Sequence, residues 1–366
     1  LPQAHAFLQQ QARDDLRICG LNAFDPQRGM LLLPRLEWRR LGGHATLRLT
    51  LYSDTSLRDD ACAAREFLRS LTTRQAQPGT LPSLLSEQHF PAYSQWRDLV
   101  AQATQAIAAG EMDKVVLARA TDLQFAAPLN AGAIMAASRR SNLHCFHYLM
   151  AFNPQEAFFG STPERLWRRR GALMRTEALA GTAASHEDDR QAQRLGDWLM
   201  GDDKNQRENM LVVEDICQRM QAETRALEVL PPQIVRLRKV QHLRRCIWAE
   251  LDVPDDARCL RQLQPTAAVA GLPRQVALDF ITRNELFTRD WYAGSAGYLS
   301  LAQSEFCVSL RSAKVRQHTL RLYAGAGIVS GSDPEQEWQE IENKAAGLRS
   351  LLLTEAEIKR CISKRQ

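Results

Sequence analysis

Glu337, Glu340 and Lys344 stand three and four residues apart near the C-terminus, and Lys204, Glu208, Leu211 and Asp215 recur at four, three and four. Each set therefore falls on one helical face. The first set runs about one residue out of phase with Trp338, Ile341, Ala345, Leu348 and Leu352, so it borders a buried stripe. Such residues form either a solvated face with an i,i+4 ion pair or carboxylates aimed into a site. Glu208 lies among Lys204, Leu211 and Val212, where its face turns from polar to apolar. Two carboxylates from separate helices, Glu208 and one from the Glu337–Glu340 face, with no His or Cys close in sequence, suit a hard cation such as Mg²⁺, which binds through one or two carboxylates, water and an anionic substrate. Zinc is disfavoured. The alternative is two ordinary surface carboxylates.

Lys114 opens the apolar run Val115-Val116-Leu117. At a core boundary, desolvation lowers an amine's pKa and makes it a usable base; snorkelling to water is the competing fate. Glu164 follows Pro163 at a strand start, where an apolar pocket would hold it as a protonated acid and exposure would leave it without a role. His242 reads as a core or surface histidine as readily as a site residue. Tyr323 to Gly331 invites a dinucleotide reading, but the third glycine position is Ser330 and the chain ends too soon for the following strand. No Walker lysine supports ATP either. What remains is that Gly325 and Gly327 let backbone N–H groups approach an anion, with Arg311 able to grip a carboxylate bidentately.

These residues need elements to position them. Asp15 to Ser53 reads as strands with a turn at Gly42-Gly43, and Gln75 to Pro91 as a loop. Trp96, Leu99, Val100, Ala103 and Ile107 fall at helical spacing before Gly110, leading into the strand Lys114 to Arg119. A hairpin is expected over Arg165 to Arg169 and Leu173 to Glu177, then a helix from about Asp189 to Arg225. Later strands are expected over Val235 to Trp248, Tyr292 to Leu301, Phe306 to Val315 and Leu320 to Ile328. Ser332-Asp333-Pro334-Glu335 predicts a helix start with Ser332 as N-cap. Strands, helices and strands without regular alternation imply an α+β fold with large, mainly antiparallel sheets packed together and flanked by helices. A strand-rich part over residues 1–90 and a catalytic region over 91–355 are expected to share one compact domain.

The 366 residues, 45% hydrophobic and 24% charged, exclude disordered and fibrous classes. No apolar run approaches the ~18 residues of a spanning helix, and Leu1 to Arg13 shows no signal pattern, so no membrane association is expected. The net charge of +5 is too diffuse for a nucleic-acid face, and Arg168 to Arg170 lacks interleaved aromatics; an anionic small molecule fits better. Eight scattered cysteines without a C-x-x-C pair read as reduced thiols in a cytoplasmic protein.

Six segments occur in order: Asp113 to Arg119, Ser161 to Leu166, Leu179-Ala180-Gly181-Thr182, Lys204 to Asn209, Ser309 to Ala313, and Ala324 to Val329 running into Glu337 to Lys344. Together they resemble the chorismate-utilising family, which includes anthranilate, aminodeoxychorismate, salicylate and isochorismate synthases. The resemblance covers nearly the whole chain; Thr162 departs from the commoner Ser. It implies an isomerase that adds water at C2 of chorismate and loses the C4 hydroxyl, because the water-adding members are similar in having Lys at position 114, whereas the aminodeoxychorismate branch has Lys where this chain has Ala180. Asp15 to Asp25 and Asp202 to Met220 resemble the menaquinone branch of the isochorismate synthases more than the siderophore branch. Salicylate synthesis, in which pyruvate is then eliminated, is the alternative. The resemblance further implies Lys114 as base, Glu164 as acid and Glu208 and Glu340 as Mg²⁺ ligands. It places Gly181, Thr182, His242, Thr266, Tyr292, Arg311, Gly325, Gly327 and Lys344 around the substrate. With water as nucleophile, no glutaminase subunit is implied.

Overall fold

The computed structural model describes residues 1–72 and 82–352. Two antiparallel sheets dominate. The larger runs, edge to edge, through Thr224–Val229, Val240–Leu251, Leu173–Ala184, Arg165–Arg170, Gln303–Val308, Ser295–Leu299, Ile18–Asn22 and Gly29–Leu32, with Gln233–Arg236 also on Val240–Leu251. The N-terminal strand Ile18–Asn22 thus lies within the same sheet as strands from the last third of the chain. The smaller sheet runs through Gly271–Leu272, Lys114–Phe125, Thr319–Ile328, Ser312–Arg316, Glu156–Thr162 and Phe146–Asn153, with Leu84–Phe90 also on Lys114–Phe125. One buried cluster draws on both sheets, joining Ala118, Phe158 and Tyr323 to Trp167, Ala178 and Phe306. The α+β architecture expected from the order of elements is present.

Lys114–Phe125 is buried on both faces from Lys114 to Thr121, which is why it reads as a continuous apolar run instead of an alternating one. The helix Pro334–Arg349 lies on Thr319–Ile328 and sets Ile341 and Ala345 against Val115, Leu117 and Ala326, with Trp96 and Val100 of Tyr93–Ala108 in the same cluster. Its N-cap is Asp333, whose Oδ1 accepts from the N–H of Glu335 at 3.1 Å and of Gln336 at 2.9 Å. The expected cap, Ser332, instead accepts from Val329 N–H at 3.2 Å.

Four expected elements differ. The single helix over Asp189 to Arg225 is two, Asp189–Gly201 and Asp203–Met220. Asp202 is extended and accepts from Asn205 N–H at 3.0 Å, so it caps the second helix; the chain is already a strand from Thr224. Val235 to Trp248 is a hairpin that turns between Arg236 and Val240. Phe306 to Val315 is divided between the two sheets, ending one strand at Val308 and starting another at Ser312; Arg311 between them has φ of 48°, which no strand accommodates. The loop over Gln75 to Pro91 lies partly outside the described residues, and its remainder contains the strand Leu84–Phe90. Polar Ser86, Glu87 and Gln88 hide that strand in the sequence; pairing with Lys114–Phe125 creates it. Among the described residues no helix is long and apolar enough to cross a membrane.

Candidate active site

Asn209 ties the helix Asp203–Met220 to the larger sheet by donating through Nδ2 to the carbonyls of Ala178, Ala180 and Leu243 at 3.3, 3.0 and 3.1 Å. One turn earlier, Asn205 Oδ1 accepts from Thr182 N–H at 3.0 Å. Between these anchors the register against Val240–Leu251 slips from Leu179 to Thr182. Gly181 takes φ of 84° there, where a Cβ would stand 3.1 Å from the Asn205 carbonyl oxygen, so a bulge aims this strand at the site.

The result is a cleft between the sheets of about 640 Å³, mouth included, lined by Glu164, Gly181, Thr182, Glu208, His242, Tyr292, Arg311, Gly325, Gly327 and Lys344. Ten of the thirteen expected site residues thus line one cleft. Lys114 is fully buried and reaches the site through Nζ, which donates to Glu208 Oε1 at 2.9 Å. Glu340 faces an adjoining cavity that also holds Glu208, Gly327, Lys204 and Glu337, and Lys344 Nζ donates to it at 2.5 Å. Thr266 is not on the wall. It is buried behind it, and its carbonyl accepts from Val269 and Ala270 N–H at 3.1 and 3.0 Å, closing the turn that presents Ala268 and Val269 to the cleft.

Electrostatics divide the carboxylates. Burial, then the Glu177 charge, raises the Glu164 pKa to about 8 against the pull of Lys114, Lys344 and Arg311, so at neutral pH it carries a proton. Burial also acts to raise Glu208, but the charge and hydrogen bond of Lys114, with Lys344 and Lys204, more than offset it and leave Glu208 below the ordinary range. Glu337 is pushed to about 7 by burial and then by Glu340. It is the carboxylate that the helical spacing brings to the site but that carried no expected role; its signal was the i,i+3 spacing to Glu340 on a face otherwise read as a border.

His242 is held neutral by burial and then by the charges of Arg311 and Lys344. Arg311 Nη2 lies 2.6 Å from His242 Nε2, and since a guanidinium only donates, Nε2 accepts and the ring proton sits on Nδ1. That nitrogen faces Gly181 O at 3.3 Å and Thr182 Oγ1 at 3.2 Å. The histidine therefore orients Arg311. Tyr292 stacks on Tyr323 at 5.2 Å between centroids, and its hydroxyl occupies the space a Cβ on Gly325 would crowd, at 2.9 Å.

Among the described residues no three His, Cys, Asp or Glu are gathered closely enough to hold a metal as they stand; Glu208 is paired with Lys114 and Glu340 with Lys344. The donor set still suits Mg²⁺, being all oxygen and two carboxylates strong. Gly327 also leaves the space Glu208 uses, since a Cβ there would lie 2.4 Å from Oε1.

The family model for chorismate binding enzymes matches residues 9–353. Isochorismate synthase MenF of Escherichia coli K12 is 67% identical over 356 residues, 97% of this chain and 83% of that protein. The solved structure of the menaquinone-specific isochorismate synthase MenF from E. coli superposes with a TM-score of 0.93, covering 96% of this chain and 82% of that one. Anthranilate synthase component I from Streptococcus pneumoniae shares the fold at a TM-score of 0.77 and 20% identity, covering 90% of this chain and 80% of that one.

Proposed function

The chain belongs to the chorismate binding enzymes, and from that premise we propose that it is a Mg²⁺-dependent isochorismate synthase, an isomerase serving menaquinone biosynthesis. The observation that carries the chemistry is the divergence of two carboxyl groups on one cleft, Glu164 raised to about 8 and Glu208 lowered. Environments that push paired acids apart assign their roles.

Water adds at C2, its oxygen forming the new C–O bond and one of its protons passing to Nζ of Lys114, which must be the neutral amine at that moment. The ring double bonds shift, the C4–O bond breaks, and Glu164 protonates the departing hydroxyl, which leaves as water. One water enters and one leaves, so the product is an isomer of chorismate. Arg311, oriented by His242, together with Tyr292 and the backbone at Gly325 and Gly327, binds the carboxylates; Gly181, Thr182 and Lys344 complete the enclosure. Bound by Glu208 and Glu340, Mg²⁺ would offset repulsion between the anionic substrate and the acidic rim and take up the Glu208 charge that now holds Lys114.

Incubation with chorismate, with and without Mg²⁺, followed by chromatography, tests the reading. Isochorismate formed only with Mg²⁺ supports it. Salicylate with pyruvate would replace it by salicylate synthesis, and no conversion by folded, metal-supplied protein would overturn it.

A further inference from the structure

The edge of Lys114–Phe125 opposite Thr319–Ile328 is covered in two pieces. Gly271–Leu272 pairs with Val115 and Lys114, and Leu84–Phe90 pairs from Ala120 onward. Between them lies a gap: among the described residues no strand pairs with this edge from Val116 to Arg119, which is buried on both faces; the Val116 N–H still donates to the Ala270 carbonyl at 2.8 Å. Unpaired backbone groups in such a place are costly.

Glu285 and Arg289 fill that gap with side chains. Arg289 Nη2 donates to the Val116 carbonyl at 2.7 Å, and Glu285 Oε1 accepts from Ala118 N–H at 3.0 Å. The two side chains are 3% and 2% exposed and are joined bidentately, Nε to Oε2 at 2.8 Å and Nη2 to Oε1 at 2.5 Å. Arg289 Nη1 also donates to the Val269 carbonyl at 2.7 Å, and its own carbonyl accepts from Tyr292 N–H at 2.9 Å. Val116, Val269 and Tyr292 all line the cleft. Phe24 closes the other side of the guanidinium, 4.5 Å from its ring centroid.

We propose that the Glu285–Arg289 pair is a positioning device for catalysis: an ion pair standing in for a missing length of strand, which fixes the strand that begins at Lys114 against the Val269 turn and the Tyr292 wall. The proposal rests on the reading of Lys114 as the base. A buried pair in this place does more than stabilise. It sets the distance between the Lys114 amine and a substrate held by the opposite wall, and misplacement of about 1 Å can cost about a hundredfold in rate.

The test is Arg289→Lys, which keeps the charge but loses the fork that reaches two carbonyls and Glu285 at once. Glu285→Gln is the milder partner, keeping an acceptor for Ala118 N–H. Circular dichroism and thermal melts establish folding, and kcat and KM for chorismate are measured far below each melting midpoint. Positioning predicts a kcat lower by about ten- to a hundredfold for Arg289→Lys, a smaller loss for Glu285→Gln, and KM within about threefold of the parent. Parent-like kcat in a folded variant whose melting midpoint has dropped overturns the proposal, because the pair then only stabilises. Failure of both variants to fold overturns it in the same way. Lys114→Ala is assayed alongside: if it turns over normally, the base assignment falls, whatever Arg289→Lys does.

Discussion

Gly327→Ala isolates the site from the fold. Gly327 lies within Thr319–Ile328 opposite Val116, and a Cβ there would stand 2.4 Å from Glu208 Oε1, 3.0 Å from Lys114 Cε and 3.4 Å from Lys114 Nζ. None of these atoms is backbone, so the clash is relieved by swinging a carboxylate tip through about 1 Å. The folding cost is then small, within about 1 kcal/mol, and is countered by the lower backbone entropy that Ala has in the unfolded chain. Catalysis has no such latitude, because the atom displaced is the one bonded to Lys114 at 2.9 Å. A shift of that size predicts kcat lower by about a hundredfold and a raised Mg²⁺ requirement, with a melting midpoint close to that of the parent. The assay is steady-state conversion of chorismate across a Mg²⁺ titration, paired with a thermal melt. Gly297→Ala is the contrast, since its Cβ would meet the Glu305 carbonyl oxygen at 2.1 Å and Phe306 Cα at 2.7 Å, both backbone; it should fail to fold. A folded Gly327→Ala with parental kcat and metal titration would refute the argument that Glu208 acts from where the structure puts it.

Glu164 is raised from 4.5 to about 8, so its proton stabilises the fold fully below about pH 4.5 and that contribution is lost as pH rises through about 8. Turnover should fall over the same upper range as the acid form disappears, and a pH–rate profile flat from 7 to 9.5 would contradict it. Glu164→Gln should abolish turnover yet remove the loss of melting temperature between pH 7 and 9, since the amide has no charge to bury. Lys114→Ala should bind chorismate by calorimetry with Mg²⁺ present but not convert it; retained turnover removes Lys114 as base. Glu340→Ala should raise the Mg²⁺ concentration needed for half-maximal rate, and an unchanged titration would rule out ligation. His242 should show the neutral Nδ1–H tautomer in ¹⁵N spectra throughout pH 5.5 to 9, and a protonated Nε2 would break the proposed orientation of Arg311.

Much of this was legible because local rules and global placement agreed. The hairpin around Gly171, the helix ending before Gly110 and the strand from Lys114 were signalled by turn residues and periodicity, and all are present. The motif residues were legible as types: Lys114, Glu164, Glu208, Arg311 and Lys344 converge on one cleft. What could not be read was set by partners distant in sequence. Leu84–Phe90 is a strand because an edge of Lys114–Phe125 receives it. Asp202 divides an otherwise continuous helical pattern because its carboxylate finds the N–H of Asn205. Glu285 and Arg289 stand four residues apart beyond the end of the helix Arg274–Asn284, and their use emerges only from the gap they fill.

The misread places share a physical character. Phe306 to Val315 has the composition of one strand, and only the positive φ of Arg311 breaks it, sending the chain from the larger sheet to the smaller and turning the guanidinium toward His242. Gly181 bends Leu173–Ala184 without taking it out of the larger sheet, interrupting its register beside Asn205 and His242. A regular strand would point alternate residues to opposite faces and could not deliver Gly181 and Thr182 together to one cleft. Sequence rules describe consistent elements, whereas a site between two sheets requires the chain to leave one pattern while still buried. The departures at Gly181 and Arg311 therefore mark the cleft itself. An α-methyl at position 181 should disturb binding at the Arg311 end before it disturbs the fold: Gly181→Ala should raise KM for chorismate through its φ of 84°, with far-ultraviolet dichroism unchanged, and an unchanged KM would show that the bulge serves only the sheet.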